Sequence, residues 1–446
     1  MSYSDRPQNY FYLHFCLLRF LGIGWWHSPA SGDKRNFPGW YLHYALVTQI
    51  VWVAGFVSLE TIDPFKGDKD LERFMFSLAF VITHDLTVIK LYIFYFKNKE
   101  IQDVVRTLEV DLYDYFQRDE KIYKTIKKTK TLTAAFLFFG WVTIADTNVY
   151  GTIAHIRWKA EVAMMNDSSS KPLRILPQPI YIPWSYQSDK YYVFTFVLET
   201  VGLLWTGHIV MTIDSFIGSL ILHMSNQFSM LQDAIRSAYD RTVDALYYVH
   251  DLSVDLDSVL PAMKFLSNAD KKEQIVRKIC SVECFNLELE KTLKDCFKQQ
   301  QILIGCVEKF AAIYSYGFMT QLLSSMAAIC VVMVQVSQDA SSLTSTRLVT
   351  SLSFFVAMII QLAIQCFTGN ELTYQAGLVA EAVMACKWER MPARFGRMLA
   401  LCCARAQRPT RLSAGGFAQM NNGCFLAILK AAYSYYAVLS QKQISK

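Results

Sequence analysis

Several ionisable side chains stand alone inside long apolar stretches of this chain. His84, Asp85 and Lys90 share one stretch, Asp146 lies in a second, Glu199 and Asp214 in a third, and Lys430 in the last. Such groups are costly in hydrocarbon, so they turn toward a protein interior or toward water and mark structural polar contacts or functional sites. Asp85 and Lys90 are five residues apart, which is not a same-face helical pair. Asp85 and Asp214 therefore read as structural contacts, and Lys90 as a side chain that snorkels toward the cytosolic surface. Other chemistry is sparse. Cys280-x-x-x-Cys284 with Cys296 has no histidine beside it and reads as reduced thiols, not as a metal site. No glycine-rich phosphate loop, nucleophile motif or metal cluster occurs, so the sequence points to no enzyme, no cofactor and no nucleic-acid partner.

The elements that carry these residues are membrane helices. The chain has 446 residues, 53% of them hydrophobic and only 18% charged, against about 25% charged in soluble proteins. Apolar blocks of spanning length fall at roughly 40–60, 72–96, 131–156, 191–222, 309–337, 345–368 and 417–440. The expected fold is an all-α polytopic membrane protein with seven transmembrane helices. Residues 1–39, 97–130, 223–300 and 369–416 hold 30 of the 44 Lys and Arg, whereas 61–71, 157–190, 338–344 and 441–446 on the other side hold 9 and the spans 5. The excess of positive charge predicts a cytosolic amino terminus and an extracellular carboxy terminus. The sequon Asn166-Asp167-Ser168 falls in a loop that this orientation places outside, and none of the 11 cysteines lies in an external segment.

Three further segments have a readable shape. Tyr10–Gly24 is apolar but contains His14 and Arg19, so it reads as an interfacial or re-entrant helix, not a cleaved signal. In 223–300, the spacing of Phe228, Leu231 and Ile235, then of Leu252, Leu256, Val259 and Leu260, predicts helices that extend into the cytosol and break near Pro261. Arg174–Tyr186 is rich in proline and aromatic residues and could fold as a stiff lid over a cavity. The orientation argues against G-protein-coupled receptors, whose amino terminus is outside. Adiponectin-receptor-like hydrolases need histidines on the last spans, and the last three spans here have none.

With these features in view, the chain resembles the insect odorant receptors. Leu176-Pro177 to Pro183-Trp184 is similar to the loop before that family's fourth span. Cys296-Phe297-Lys298-Gln299-Gln300-Gln301-Ile302 to Phe310, then Gln321-Leu322-Leu323-Ser324-Ser325 and Cys330, resembles the approach to the fifth. Gln361, then Gln365-Cys366-Phe367-Thr368-Gly369-Asn370-Glu371-Leu372, is similar to the exit from the sixth, followed by Ala382 to Trp388. The most diagnostic piece is Ala432-Tyr433-Ser434-Tyr435-Tyr436-Ala437-Val438-Leu439 in the last span, where gustatory receptors usually carry a different pattern.

The resemblance implies a tetrameric, odorant-gated, non-selective cation channel in the plasma membrane of olfactory sensory neurons. The chain looks like a tuning subunit that assembles with a shared co-receptor subunit and binds a small volatile odorant. It implies a cytosolic segment over 1–39, spans one to six with the ligand pocket over 40–368, cytosolic anchor helices between subunits over 369–416, and a pore-lining helix with a short external tail over 417–446. The runner-up is a gustatory-type or homomeric channel; a metabotropic receptor or a transporter is less consistent with the pattern.

In the family the pocket occupies the outer half of the bundle, among spans two, three, four, five and six. That places candidates at Phe76, Phe80, Thr83 and His84 on span two, and at Trp141, Asp146, Thr147 and Tyr150 on span three. Span four offers Tyr192, Phe196 and Glu199, and span six Ser351, Phe354, Phe355 and Met358. Val438, Gln441 and Lys442 match the family's gate and polar constriction. Lys442 departs from the apolar residue of the co-receptor, and a basic side chain there disfavours a pore made of four copies of this chain. Asn166 is the candidate glycosylation site.

Overall fold

The computed structural model describes residues 9–24, 29, 37–66, 71–116, 118–164, 172, 174–249, 267–341, 345–408 and 410–444. Leu252, Leu256, Val259, Leu260 and Pro261, with the second of the expected cytosolic stretches, and the sequon at Asn166 lie outside the described residues. Among those described, seven helices are long and apolar enough to cross a membrane. The architecture is nearly all helical, with one two-stranded hairpin.

The chain opens with α1 (Tyr12–Phe20), then α2 (Gly39–Lys66), whose middle, Gln49–Phe56, is π-helical. α3 (Leu71–Phe96) and the short α4 (Asn98–Arg106) follow. Next come two long helices, α5 (Asp119–Met164) and α6 (Asp189–Arg236), then α7 (Ala238–Val249) and α8 (Asn268–Ile279). α9 (Val282–Ser341) and α10 (Ser345–Met384) lead to α11 (Ala393–Ala406). β1 (Ser413–Ala414) and β2 (Ala418–Gln419) precede the last helix, α12 (Asn422–Ile444).

Four helices are far longer than the ~20 residues a bilayer needs: α5 has 46, α6 48, α9 60 and α10 40. Their extensions pack with α4, α7 and α11, and α8 packs on α7, as expected from the apolar spacing that begins at Phe228. α6 is the axis of the bundle. All of Ile209–Ser225 is buried, because neighbouring helices cover every face of this stretch. The segment expected to be an interfacial or re-entrant helix is helical, as α1. It tucks Phe11 and Phe15 against Phe216, and His14 Nε2 lies 2.9 Å from Thr133 Oγ1, while Tyr12 and Phe20 stay exposed.

The last helix starts later than its apolar run. Phe417 to Gln419 belong to the hairpin, in which Ser413 pairs with Gln419 and Ala414 with Ala418. Gly415 and Gly416 have φ of 59° and 79°, a left-handed turn open to glycine and strained for other residues. The Gly415 N–H donates to the Ser315 carbonyl at 3.0 Å, pinning the hairpin to α9. The Asn421 side chain accepts from the Cys424 N–H at 2.8 Å and so caps α12.

A buried polar layer crosses the bundle. Lys90 of α3 does not snorkel; it is 4% exposed, and its ammonium donates to Asp214 of α6 and to Gln321 of α9. Lys90 lies deep within the span, and a fully buried carboxylate within reach holds it there. Gln361 and Gln365 of α10 donate to the same Asp214 carboxylate at 2.6 and 3.1 Å. Asp214 is thus a structural contact, as its place in the sequence suggests. Asp85 accepts from Thr61 of α2 at 3.0 Å.

Removing one partner of a buried pair strands the other charge, which costs about 3–5 kcal/mol. Lys90→Met is therefore expected to lower the melting temperature of the purified protein markedly. The double change Lys90→Met with Asp214→Asn should recover much of that loss, as read by scanning fluorimetry in detergent.

Candidate ligand pocket

Between α3, α5, α6 and α10 the bundle leaves a cavity of about 80 Å³. Helical spacing makes it. Phe136, Gly140, Thr143, Ile144 and Thr147 form one stripe of α5, and Leu203, Gly207, Val210 and Met211 one stripe of α6. Phe80, Thr83 and His84 of α3 and Phe354, Ala357, Met358 and Gln361 of α10 close it. The walls are overwhelmingly apolar. The threonine hydroxyls spend their hydrogens on their own helices: Thr83 on the Phe80 carbonyl at 2.8 Å, Thr143 on Phe139 at 3.1 Å and Thr147 on Thr143 at 2.8 Å. Their oxygens can still accept.

Two longer polar groups touch the cavity, from opposite ends. At the far end Gln361 carries the link to Asp214 and Lys90. Toward the 174–186 loop stands His84. Its Nδ1 lies 2.6 Å from a carboxylate oxygen of Glu60, which is 1% exposed. The other Glu60 oxygen accepts from Gln178 of the loop at 2.9 Å. His84 Nε2 lies 3.4 Å from the Thr206 hydroxyl.

The loop folds onto this end as a lid would. Pro177 packs so closely on Gly151 that a Cβ there would sit 2.7 Å from the proline ring. Tyr181 N–H donates to the Leu59 carbonyl at 3.3 Å, and Trp184 Nε1–H to Thr195 at 3.0 Å. Arg174 reaches Asp189 at 2.5 Å and stacks over Trp158, its carbon 4.2 Å from the ring centre.

Six of the residues singled out in the sequence meet at the cavity: Phe80, Thr83, His84, Thr147, Phe354 and Met358. The others lie elsewhere. Phe76 is buried one turn from Phe80, with ring centres 5.3 Å apart. Trp141 is 53% exposed on the outer face of α5 and donates to His208 at 2.6 Å, because it sits about 100° around the helix from Gly140. Asp146 and Tyr150 are half-buried, and the Asp146 carbonyl accepts from Thr350 at 3.4 Å. Tyr192 donates to the Ile175 carbonyl at 3.0 Å beneath the loop, with Phe196 beside it. Glu199 is buried above the cavity, Ser351 is buried off its wall, and Phe355 packs into the core. No residue of α9 lines the cavity.

A family model described as 7tm Odorant receptor matches residues 70–433. The chain belongs to the odorant receptor family. Odorant receptor Or1 of Anopheles gambiae is 22% identical to this receptor over 98% of this chain and 96% of its own length. Odorant receptor 22c of Drosophila melanogaster is 20% identical over 94% of each. The fold is that of the olfactory receptor OR5 from Machilis hrabei, with TM-score 0.70 at 12% identity, covering 97% of this receptor and 99% of that chain. Its complex with eugenol superposes with TM-score 0.68.

The cavity residues not singled out in the sequence had a signal available. Thr129, Thr133, Phe136, Gly140, Thr143, Thr147 and Gly151 recur at intervals of three and four along α5. Small and hydroxyl residues in an apolar helix mark the face that meets other helices. That stripe, not aromatic content, marks the inner wall of the receptor.

At about 80 Å³ the cavity is smaller than an engineered cavity of ~150 Å³ that holds benzene. A ligand of that size has to displace side chains, and Met211 and Met358 have the flexibility to move. A Cβ on Gly140 would lie 1.9 Å from Met211 Sδ and drive that thioether into the cavity. Overpacking of about 1–3 kcal/mol corresponds to about 5- to 150-fold. Gly140→Val is expected to raise the half-maximal concentration of an activating odorant by that order, with surface expression retained by biotinylation.

Proposed function

We propose that this receptor is the odorant-binding subunit of a heteromeric, ligand-gated, non-selective cation channel. The carrying observation is the state of α12. Only 6% of its most apolar stretch is buried within the chain, against 28–61% for the other spans. It is apolar, yet Leu426, Tyr433, Tyr435, Val438 and Leu439 are exposed. A helix so little covered by its own bundle suits a position covered by neighbouring subunits and, on one face, by a pore.

The ligand is a small volatile with a largely apolar body, held among α3, α5, α6 and α10 and meeting polar atoms at His84 and Gln361. Burial at about 25 cal/mol per Å² gives such a molecule a few kcal/mol, consistent with micromolar sensitivity. The amino terminus is cytosolic and the carboxy terminus external, so the 174–186 loop caps the cavity from outside. This orientation rests on the distribution of Lys and Arg. Val438 and Gln441 lie on the pore path near its outer mouth, and both are exposed on α12. The Lys442 side chain lies outside the described residues. Its charge supports a channel with fewer than four copies of this chain, completed by the shared co-receptor subunit. The receptor acts at the plasma membrane of olfactory sensory neurons, and Asn166 carries a glycan there.

Co-expression with the co-receptor in a non-olfactory cell, with an odorant panel read as current, tests this function. Odorant-evoked current absent from cells with the co-receptor alone is expected, and none from this chain alone. Val438→Cys and Gln441→Cys should react with external thiol reagents at odorant-dependent rates. Odorant responses that need a G protein, or cysteines that react at the same rate with and without odorant, would sink the pore assignment.

A further inference from the structure

The start of α5 carries Lys121, Lys124, Lys127, Lys128 and Lys130. Lys121 pairs with Asp233 at 2.6 Å and Lys124 with Glu120 at 2.5 Å. Among the described residues no carboxylate pairs with Lys127, Lys128 or Lys130, and all three are exposed. Like charges three and four residues apart on a helix repel one another. An arrangement that the chain leaves uncompensated is one that an external anion would relieve.

The surroundings define the anion. Lys124, Lys127 and Lys128 share an open, shallow groove on one face of α5 with Thr131, Leu132 and Ala135, which continue it along the same helix. Lys128 precedes Leu132 by one turn, a rise of about 6 Å. The ammonium groups therefore stand at the edge of the apolar run that begins at 131, where the headgroups of a bilayer lie. The opposite face of α5, with Ile122, Thr129 and Thr133, is buried against the bundle, so the groove looks outward.

We propose that this groove binds the phosphorylated headgroup of an anionic phospholipid, with an acyl chain lying along Leu132 and Ala135. A soluble polyanion would use the lysines and leave the apolar wall wet; a membrane lipid uses both. Phe136 and Gly140, on the next turns of the same helix, line the ligand cavity. Lipid in the groove thus steadies the helix that forms one cavity wall.

The test uses purified full-length protein and a short-chain fluorescent phosphatidylinositol bisphosphate, read by anisotropy, with soluble inositol phosphate as a second ligand. Saturable lipid binding is expected, with inositol phosphate much weaker. Each lysine near an anionic surface contributes about fivefold, so the double variant K127Q/K128Q should bind about 30-fold more weakly. K127R/K128R should bind as the parent does, and so should K190Q, which removes a charge at the other end of the bundle. Undiminished binding by K127Q/K128Q, an equal loss in K190Q, or inositol phosphate binding as tightly as the lipid would overturn the proposal. The assay reads lipid alone, so its result does not depend on odorant response.

Discussion

The Lys90–Asp214 pair constrains this receptor more than any other contact. Two opposite charges lie almost fully buried where no water competes, and each also needs neutral partners to satisfy its remaining hydrogen-bonding capacity. Gln321 answers Lys90, and Gln361 and Gln365 answer Asp214. One polar knot thereby joins α3, α6, α9 and α10. A helix that slid by one residue or turned by 100° would leave a charge or an amide unpaired in an apolar interior, so the knot fixes register as well as contact. Apolar packing alone, being non-directional, tolerates such slips far better.

The cavity between α3, α5, α6 and α10 is a consequence of that fixed register. Above the knot stands a second buried polar layer, with Glu60 between His84 and Gln178, and Arg73 on Asp63 at 2.9 Å. Between the layers the four helices hold glycine at 140 and 207 and leave space. The cavity is apolar in part because Glu60, Lys90 and Asp214 beside it are already engaged in one layer or the other. Only His84 and Gln361 belong to a layer and also face the cavity. On the reading of this cavity as the ligand site, a ligand meets polar side chains at His84 and Gln361, accepting threonine oxygens along the walls, and shape elsewhere, an arrangement that selects by size and flexibility as much as by functional group.

How much of this the sequence discloses depends on the physical rule involved. Spanning helices are a matter of length and mean apolarity, and all seven blocks are legible, as are the extensions past the bilayer. Helix face is harder. Trp141 and Phe355 attract attention by type, yet the face each occupies is set by neighbours the sequence does not name. The threonine and glycine stripe of α5 is legible in principle, because small residues at intervals of three and four have no reason to align unless another helix lies close. Partners across the fold are hardest. Lys90 and Asp214 are 124 residues apart, and nothing local distinguishes a lysine that snorkels from one met by a carboxylate. The start of α12 is obscured for a different reason: Phe417 looks like the first residue of the apolar run, whereas the glycine pair before it marks a turn and Asn421 after it the cap.

The same knot bears on how occupancy of the cavity could reach the last helix. α12 does not line the cavity, so no ligand there touches it directly. It packs chiefly on α9, and Tyr436 meets the cluster of Met75, Ala79, Val331 and Val332. α9 lines no part of the cavity either, but it carries Gln321, bound to the ammonium of Lys90. Gln361 is the one side chain that both faces the cavity and holds Asp214, the other half of that pair. On the channel reading, ligand that shifts Gln361 alters the partners of Asp214, and the pair transmits the change to α9 and from there to α12. Because the knot is buried and its bonds directional, it has few intermediate arrangements, which favours two discrete states over a graded response. A chain of apolar contacts between the same helices would spread a shift of that size among many small adjustments and deliver little of it to α12.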